Sequence, residues 1–109
     1  MTQRETTTAL DITYLSRMID GVSEYYKQMC ESEALEINHR RILAMLYLYN
    51  NAPMRLSYLC QVFGYGSSES AYGAINIGRR LLKTNDEFRR EYQNMADYNF
   101  SQQKTSISQ

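Results

Sequence analysis

The sequence predicts an all-α domain of four to five helices that contains a helix-turn-helix. Three observations carry this. Apolar residues recur three and four positions apart along most of the chain, the spacing of a helix face. Only Val22 and Val62 are valines, and no stretch alternates between apolar and polar residues as a half-buried strand does. The one proline, Pro53, and the pair Gly64 and Gly66 fall between the periodic segments, where residues that disfavour or leave the helix belong.

Each helix follows from its own pattern. Ile12, Leu15, Ile19, Val22, Tyr26 and Met29 form one stripe, which places a first helix at about residues 9–29. A second runs from about Glu33 to Asn50, and its segment Ile42–Tyr49 is apolar on nearly every side, as befits a strut surrounded by other helices. Pro53 disfavours helical geometry in the residue before it and ends that helix. Leu56, Leu59, Cys60 and Phe63 mark a short helix at about 55–63, and Gly64-Tyr65-Gly66-Ser67 breaks it. Ser67 or Ser68 is placed to cap a helix over about 68–83. The pair of short helices spanning 55–83 has the outline of a helix-turn-helix. Thr84 with Glu87 reads as a capping box that opens a last helix, striped by Phe88, Tyr92 and Met95 and fading near Tyr98. Residues 1–8 are expected to be a flexible N-terminus, 9–98 a single domain and 99–109 a disordered polar tail.

On the helix over 68–83, Ala71, Ala74, Ile75, Gly78 and Leu82 share one side, which is assigned to the core. Glu69, Gly73, Asn76, Ile77 and Arg80 take the other, with Tyr72 and Lys83 on its flank. A glycine on an outward helix face costs about 1 kcal/mol relative to alanine, so Gly73 is either merely tolerated or there to permit the close approach of a backbone, DNA's or a partner protein's.

Composition narrows the function. With 109 residues the chain has room for one domain, and 12 basic residues balance 12 acidic ones. The zero total hides a gradient. Residues 1–35 carry three basic and six acidic groups, whereas 36–92 carry eight basic and five acidic. The longest apolar run is too short for a membrane span, which takes ~20 residues. The start Met-Thr-Gln-Arg-Glu-Thr-Thr-Thr has no apolar core segment, so no secretory leader is expected and a cytoplasmic setting is. Cys30 and Cys60 lie in apolar helical patterns and read as structural thiols, and His39 has no partner at ligand spacing. A metal site, a cofactor, a small-molecule substrate and an enzymatic constellation are therefore not expected.

From residue 41 to 95 the chain resembles a known family, domain IV of the bacterial chromosomal replication initiator DnaA, whose helical arrangement the tryptophan repressor shares. The resemblance rests on Arg41-Ile42-Leu43-Ala44-Met45, on Leu56-Ser57-Tyr58-Leu59 leading to Phe63-Gly64, and on Leu81-Leu82-Lys83-Thr84-Asn85-Asp86-Glu87-Phe88-Arg89. Upstream, Val22-Ser23-Glu24-Tyr25-Tyr26 is similar to the family's first helix. It implies a double-stranded DNA-binding domain that uses the helix-turn-helix at 55–83 in replication or transcription control. No Walker loop is present to supply the full initiator's ATPase. Two departures stand out. The family's Arg-Asp-His-Ser/Thr-Thr at the turn is Gly66, Ser67, Ser68, Glu69 and Ser70 here, and its basic loop is replaced by the acidic Cys30–Glu36. Together they imply a weak or assisted binder.

On this reading Ser67, Ser68, Glu69, Ser70 and Asn76 face bases, with Asn76 suited to adenine. Arg40, Arg41, Arg55, Arg79, Arg80 and Lys83 hold phosphates. The alternative is a protein-interaction module, or a homodimer, on the same fold. Ile77, the acidic segment and the ten tyrosines suit a protein surface.

Overall fold

The computed structural model describes residues 2–52 and 54–108, with side chains over 15–52 and 54–101. Five helices follow one another: α1 (Thr2–Ser32), α2 (Ile37–Asn51), α3 (Leu56–Val62), α4 (Ser68–Thr84) and α5 (Asp86–Ser108). No strand occurs among the described residues. No described helix is long and apolar enough to cross a membrane.

The expected strut is α2, which packs against all four other helices. Its residues Ile42 through Leu48 are all buried, and Leu43, Met45 and Leu46 are completely so. At about 1.5–3 kcal/mol for each large apolar side chain removed from water, this segment is a principal source of stability. Around it, α1 and α5 run antiparallel: Gly21 meets Asn99, while Tyr25 reaches both Tyr98 and Glu91. From α1 the core receives Met18, Val22 and Met29, and from α5 Phe88 and Met95.

Helix α1 is traced from Thr2, earlier than residue 9, and α5 continues past Tyr98 to Ser108. Asn99 belongs to the core rather than to a loose tail. It is 2% exposed, and its Nδ2 donates to the carbonyl of Met95 at 3.1 Å. Its polarity hid this role. What was expected of Met1 and Gln109, and of the side chains over 2–14 and 102–109, lies outside the described residues.

The second helix begins at Ile37 instead of Glu33. Glu33 and Leu35 have φ of 58° and 64°, a left-handed geometry that no helix can contain. Ala34 N–H closes the end of α1 onto the Met29 carbonyl at 3.0 Å, a six-to-one bond typical of a helix terminus. Burial of Leu35 and two hydrogen bonds from Arg40 Nε, to the Ala34 carbonyl at 2.7 Å and the Leu35 carbonyl at 3.1 Å, hold the turn.

The join between α3 and α4 follows its glycine. Gly64 has φ of 76°. The Tyr65 N–H bonds the Cys60 carbonyl at 2.9 Å and the Gly64 N–H bonds the Gln61 carbonyl at 3.3 Å, the paired closure of a Schellman motif. Beside it the Cys60 thiol donates to the Tyr65 carbonyl at 3.1 Å. Cys60 is thus a structural thiol, whereas Cys30 is exposed, having fallen on the outer side of α1. Both are free.

The capping box at Thr84 and Glu87 is replaced by a cap one residue later. Asn85 Oδ1 accepts from the Phe88 N–H at 3.0 Å. Thr84 still belongs to α4, and its hydroxyl donates to the Arg80 carbonyl at 2.9 Å. Asn85 alone separates the two helices, so only its side chain faces the free N–H groups of α5.

Candidate nucleic-acid interface

Helix α4 divides as its periodicity requires. Ala71, Ala74, Ile75 and Gly78 are buried, and Leu82 is half-buried. Gly78 lets α2 come close, since a Cβ there would stand 2.9 Å from Ile42 Cγ2 and 3.0 Å from Leu46 Cδ2. The opposite side is open, with Glu69, Tyr72, Gly73, Asn76, Ile77, Arg80 and Lys83 all exposed. A Cβ on Gly73 would meet nothing within 4 Å. No packing among the described residues therefore requires a glycine at this position.

All five residues expected to face bases are exposed on α4 and its N-terminus. Two of them also build the helix. Ser67 Oγ accepts from the Ser70 N–H at 3.2 Å, and its hydroxyl donates to Ser70 Oγ at 3.2 Å. The cap is thus Ser67, and Ser68 and Glu69 follow in the first turn. Asn76 sits two turns on, its Oδ1 accepting from Arg79 Nη1 at 3.3 Å.

The six basic residues assigned to phosphates separate into two groups. Arg40 gives its Nε–H to the α1–α2 turn, as described above. Arg41 is spent on the α3–α4 turn: Nη1 donates to the Phe63 carbonyl at 3.3 Å, and the guanidinium lies 4.5 Å from the centre of the Tyr65 ring. Both are half-buried. Arg40 shares its single Nε–H between two carbonyls and Arg41 donates to one, a use that sequence spacing cannot distinguish from phosphate binding.

The other four, Arg55, Arg79, Arg80 and Lys83, are exposed. They do not encircle Ser67–Ser70. Arg79, Arg80 and Lys83 stand on the C-terminal half of α4, and the Arg79 guanidinium lies 5.7 Å from the Tyr49 ring on α2. Arg55 borders a separate groove of about 410 Å³ between α1 and α3, shared with Leu15, Ile19 and Tyr58. Beside the N-terminal half of α4 runs an open groove of about 550 Å³, where Glu36, His39 and Arg41 face Ser70, Gly73 and Ile77. An acidic group is thus part of the surface next to the residues expected to face bases.

The tyrosines serve the fold more than the surface. Tyr47 stacks on Tyr92 with ring centres 5.5 Å apart, and the Tyr92 hydroxyl accepts from Asn50 Nδ2 at 3.0 Å. Tyr25 bonds Glu91 and packs on Tyr98. Among the described residues only Tyr58 and Tyr72 are exposed tyrosines. His39 packs its ring edge-on to Phe88, centres 6.2 Å apart. No group of three or more His, Cys, Asp or Glu suited to a metal ion occurs among the described residues.

No family model matches the chain, and neither a curated protein nor a solved structure does.

Proposed function

We propose that this protein is a small double-stranded DNA-binding protein of helix-turn-helix type, acting in replication or transcription control without an ATPase of its own. The observation that carries the reading is α4 itself. It is a capped helix of 17 residues, joined to α3 by a short glycine-containing turn, with one face in the core and the other exposed. That exposed face begins with serines, continues through an asparagine and ends in Arg80 and Lys83, and no acidic residue follows Glu69 on the helix. A helix of this form fits a major groove, which is about 12 Å wide. The resemblance of residues 41–95 to the initiator's DNA-binding domain points the same way.

With Arg40 and Arg41 turned to the fold and Arg79 bonded to Asn76, the phosphate contacts are assigned to Arg55, Arg80 and Lys83. Three contacts make a weak binder. The logarithm of affinity should fall with the logarithm of salt concentration at a slope of roughly −3, at about −0.9 for each phosphate contact. Fluorescence anisotropy of a labelled random duplex across a salt series measures this. A preparation that shows no salt-sensitive duplex binding sinks the proposal.

A second reading, a protein-interaction module, is favoured by one specific observation. Ile37, Tyr72 and Ile77 are large apolar side chains 70%, 45% and 45% exposed on α2 and α4. Ile77 also borders the groove that contains Glu36. Under this reading, Ile77→Asp abolishes a protein complex, while salt has little effect.

A further inference from the structure

We propose, resting on the DNA-binding reading above, that α4 selects A·T over G·C pairs, and that Arg79 is a positioning residue for Asn76 instead of a phosphate contact. The middle turns of the exposed face present Tyr72, Gly73, Asn76 and Ile77. Guanine is read most often by a bidentate arginine or lysine, adenine by asparagine or glutamine, and thymine through apolar contact with its methyl group. This stretch offers an amide and an exposed aliphatic side chain, with no cation among the four.

The local geometry prepares both contacts. Gly73 lies one turn before Ile77, and the space where its Cβ would stand is empty. A base-pair edge can therefore approach the backbone at Gly73, which brings the Ile77 methyls within reach of the groove floor. Asn76 needs a fixed amide plane to bond adenine at two atoms. Arg79 supplies it: a guanidinium only donates, so the atom facing it is Oδ1. Oδ1 keeps a second lone pair for the adenine amino group, and Nδ2 remains to donate to adenine N7. Arg79 is itself steadied over the Tyr49 ring of the neighbouring helix. Tyr49, Arg79 and Asn76 thus form a chain from the core strut to the base-facing amide. Arg80 and Lys83 continue the helix with the positive charge that the flanking phosphates require.

The test is selection of bound duplexes from a random pool with the full chain, followed by anisotropy on a selected duplex and two modified copies. One copy carries uracil for thymine and the other 7-deazaadenine for adenine. A·T pairs should be selected. Uracil should weaken wild-type binding roughly five-fold or more and leave Ile77→Ala unaffected. 7-Deazaadenine should weaken wild-type binding by a similar factor and leave Asn76→Ala unaffected. Arg79→Ala should lose the sensitivity to 7-deazaadenine while its salt slope stays that of the wild type, and thermal unfolding should show each variant folded. Selection of G·C pairs, indifference to both modified bases, or an Arg79→Ala salt slope shallower by about one contact overturns the inference. In those outcomes salt-sensitive binding persists and the DNA-binding reading stands. If no duplex binds in a salt-sensitive manner, that reading falls and the inference with it.

Discussion

Two glycines with opposite surroundings show how one residue type serves different ends. Gly73 faces open space on α4, so a methyl group there adds helix propensity without a clash. Gly73→Ala is expected to stabilise the fold by roughly 0.5–1 kcal/mol, seen as a higher urea midpoint, while it weakens duplex binding by filling the notch. A variant that gains stability and binds unchanged would remove the functional meaning of this glycine. Gly21 is enclosed instead, and a Cβ there would run into Asn99 Oδ1 and stand 2.8 Å from Asn99 Cγ. The glycine is what gives that amide its room, and Asn99 Oδ1 is buried without a hydrogen-bond partner among the described residues. Gly21→Ala should therefore cost about 1–3 kcal/mol through overpacking. With Asn99→Ala also present, the obstacle is gone and the cost should vanish or reverse. A double-mutant cycle by urea unfolding measures the coupling, and additive effects would contradict the contact.

The helix joins show where local sequence decides and where it does not. Between α4 and α5 the cap is Asn85, so Asn85→Ala should cost about 1 kcal/mol, whereas Thr84→Ala should change stability by a few tenths. Denaturant unfolding of the two variants separates these positions, and equal costs would restore the capping box. The five helices were legible because their stripes are long: Ala71, Ala74, Ile75 and Gly78 alone orient α4 correctly. The end of α3 was legible because glycine at φ of 76° is the common solution there. The start of α2 was not, since Glu33 and Leu35 take left-handed geometry without being glycine, and the Arg40 Nε–H on the Ala34 and Leu35 carbonyls together with burial of Leu35 holds the turn there. The same limit applies to the candidate site. Exposure of Ser67–Ser70 and Asn76 followed from helical spacing. Arg41 meets Phe63 and Tyr65, and Arg79 meets Tyr49, across long stretches of chain; Arg40 and Asn76 find nearby acceptors or donors instead, and an arginine's identity is silent about which acceptor it meets.

Across the whole molecule, the zero net charge conceals an uneven spread of charge, and the fold draws on Arg40 and Arg41 for its own turns. Stability rests on α2 and on the clasp between α1 and α5. Tyr25 is part of that clasp: its hydroxyl donates to Glu91 Oε1 at 2.8 Å. Burial, and after it the Glu91 hydrogen bond and charge, push this phenol from the usual 10 up to about 12. Burial also raises Tyr26. A phenol whose pKa is higher folded than unfolded adds stability while both states keep the proton. That stability is therefore complete below pH 10 and is lost from there towards pH 12, because the unfolded chain gives up its proton first. Urea unfolding at a series of pH values should show stability falling across this window. Tyr25→Phe should lower stability below pH 10, where the hydrogen bond is intact, and flatten the fall above it. Tyr26, whose shift has the same sign, contributes to the slope left in that variant. If Tyr25→Phe leaves the alkaline profile as steep as the wild type's, the Tyr25–Glu91 contact does not hold α1 to α5.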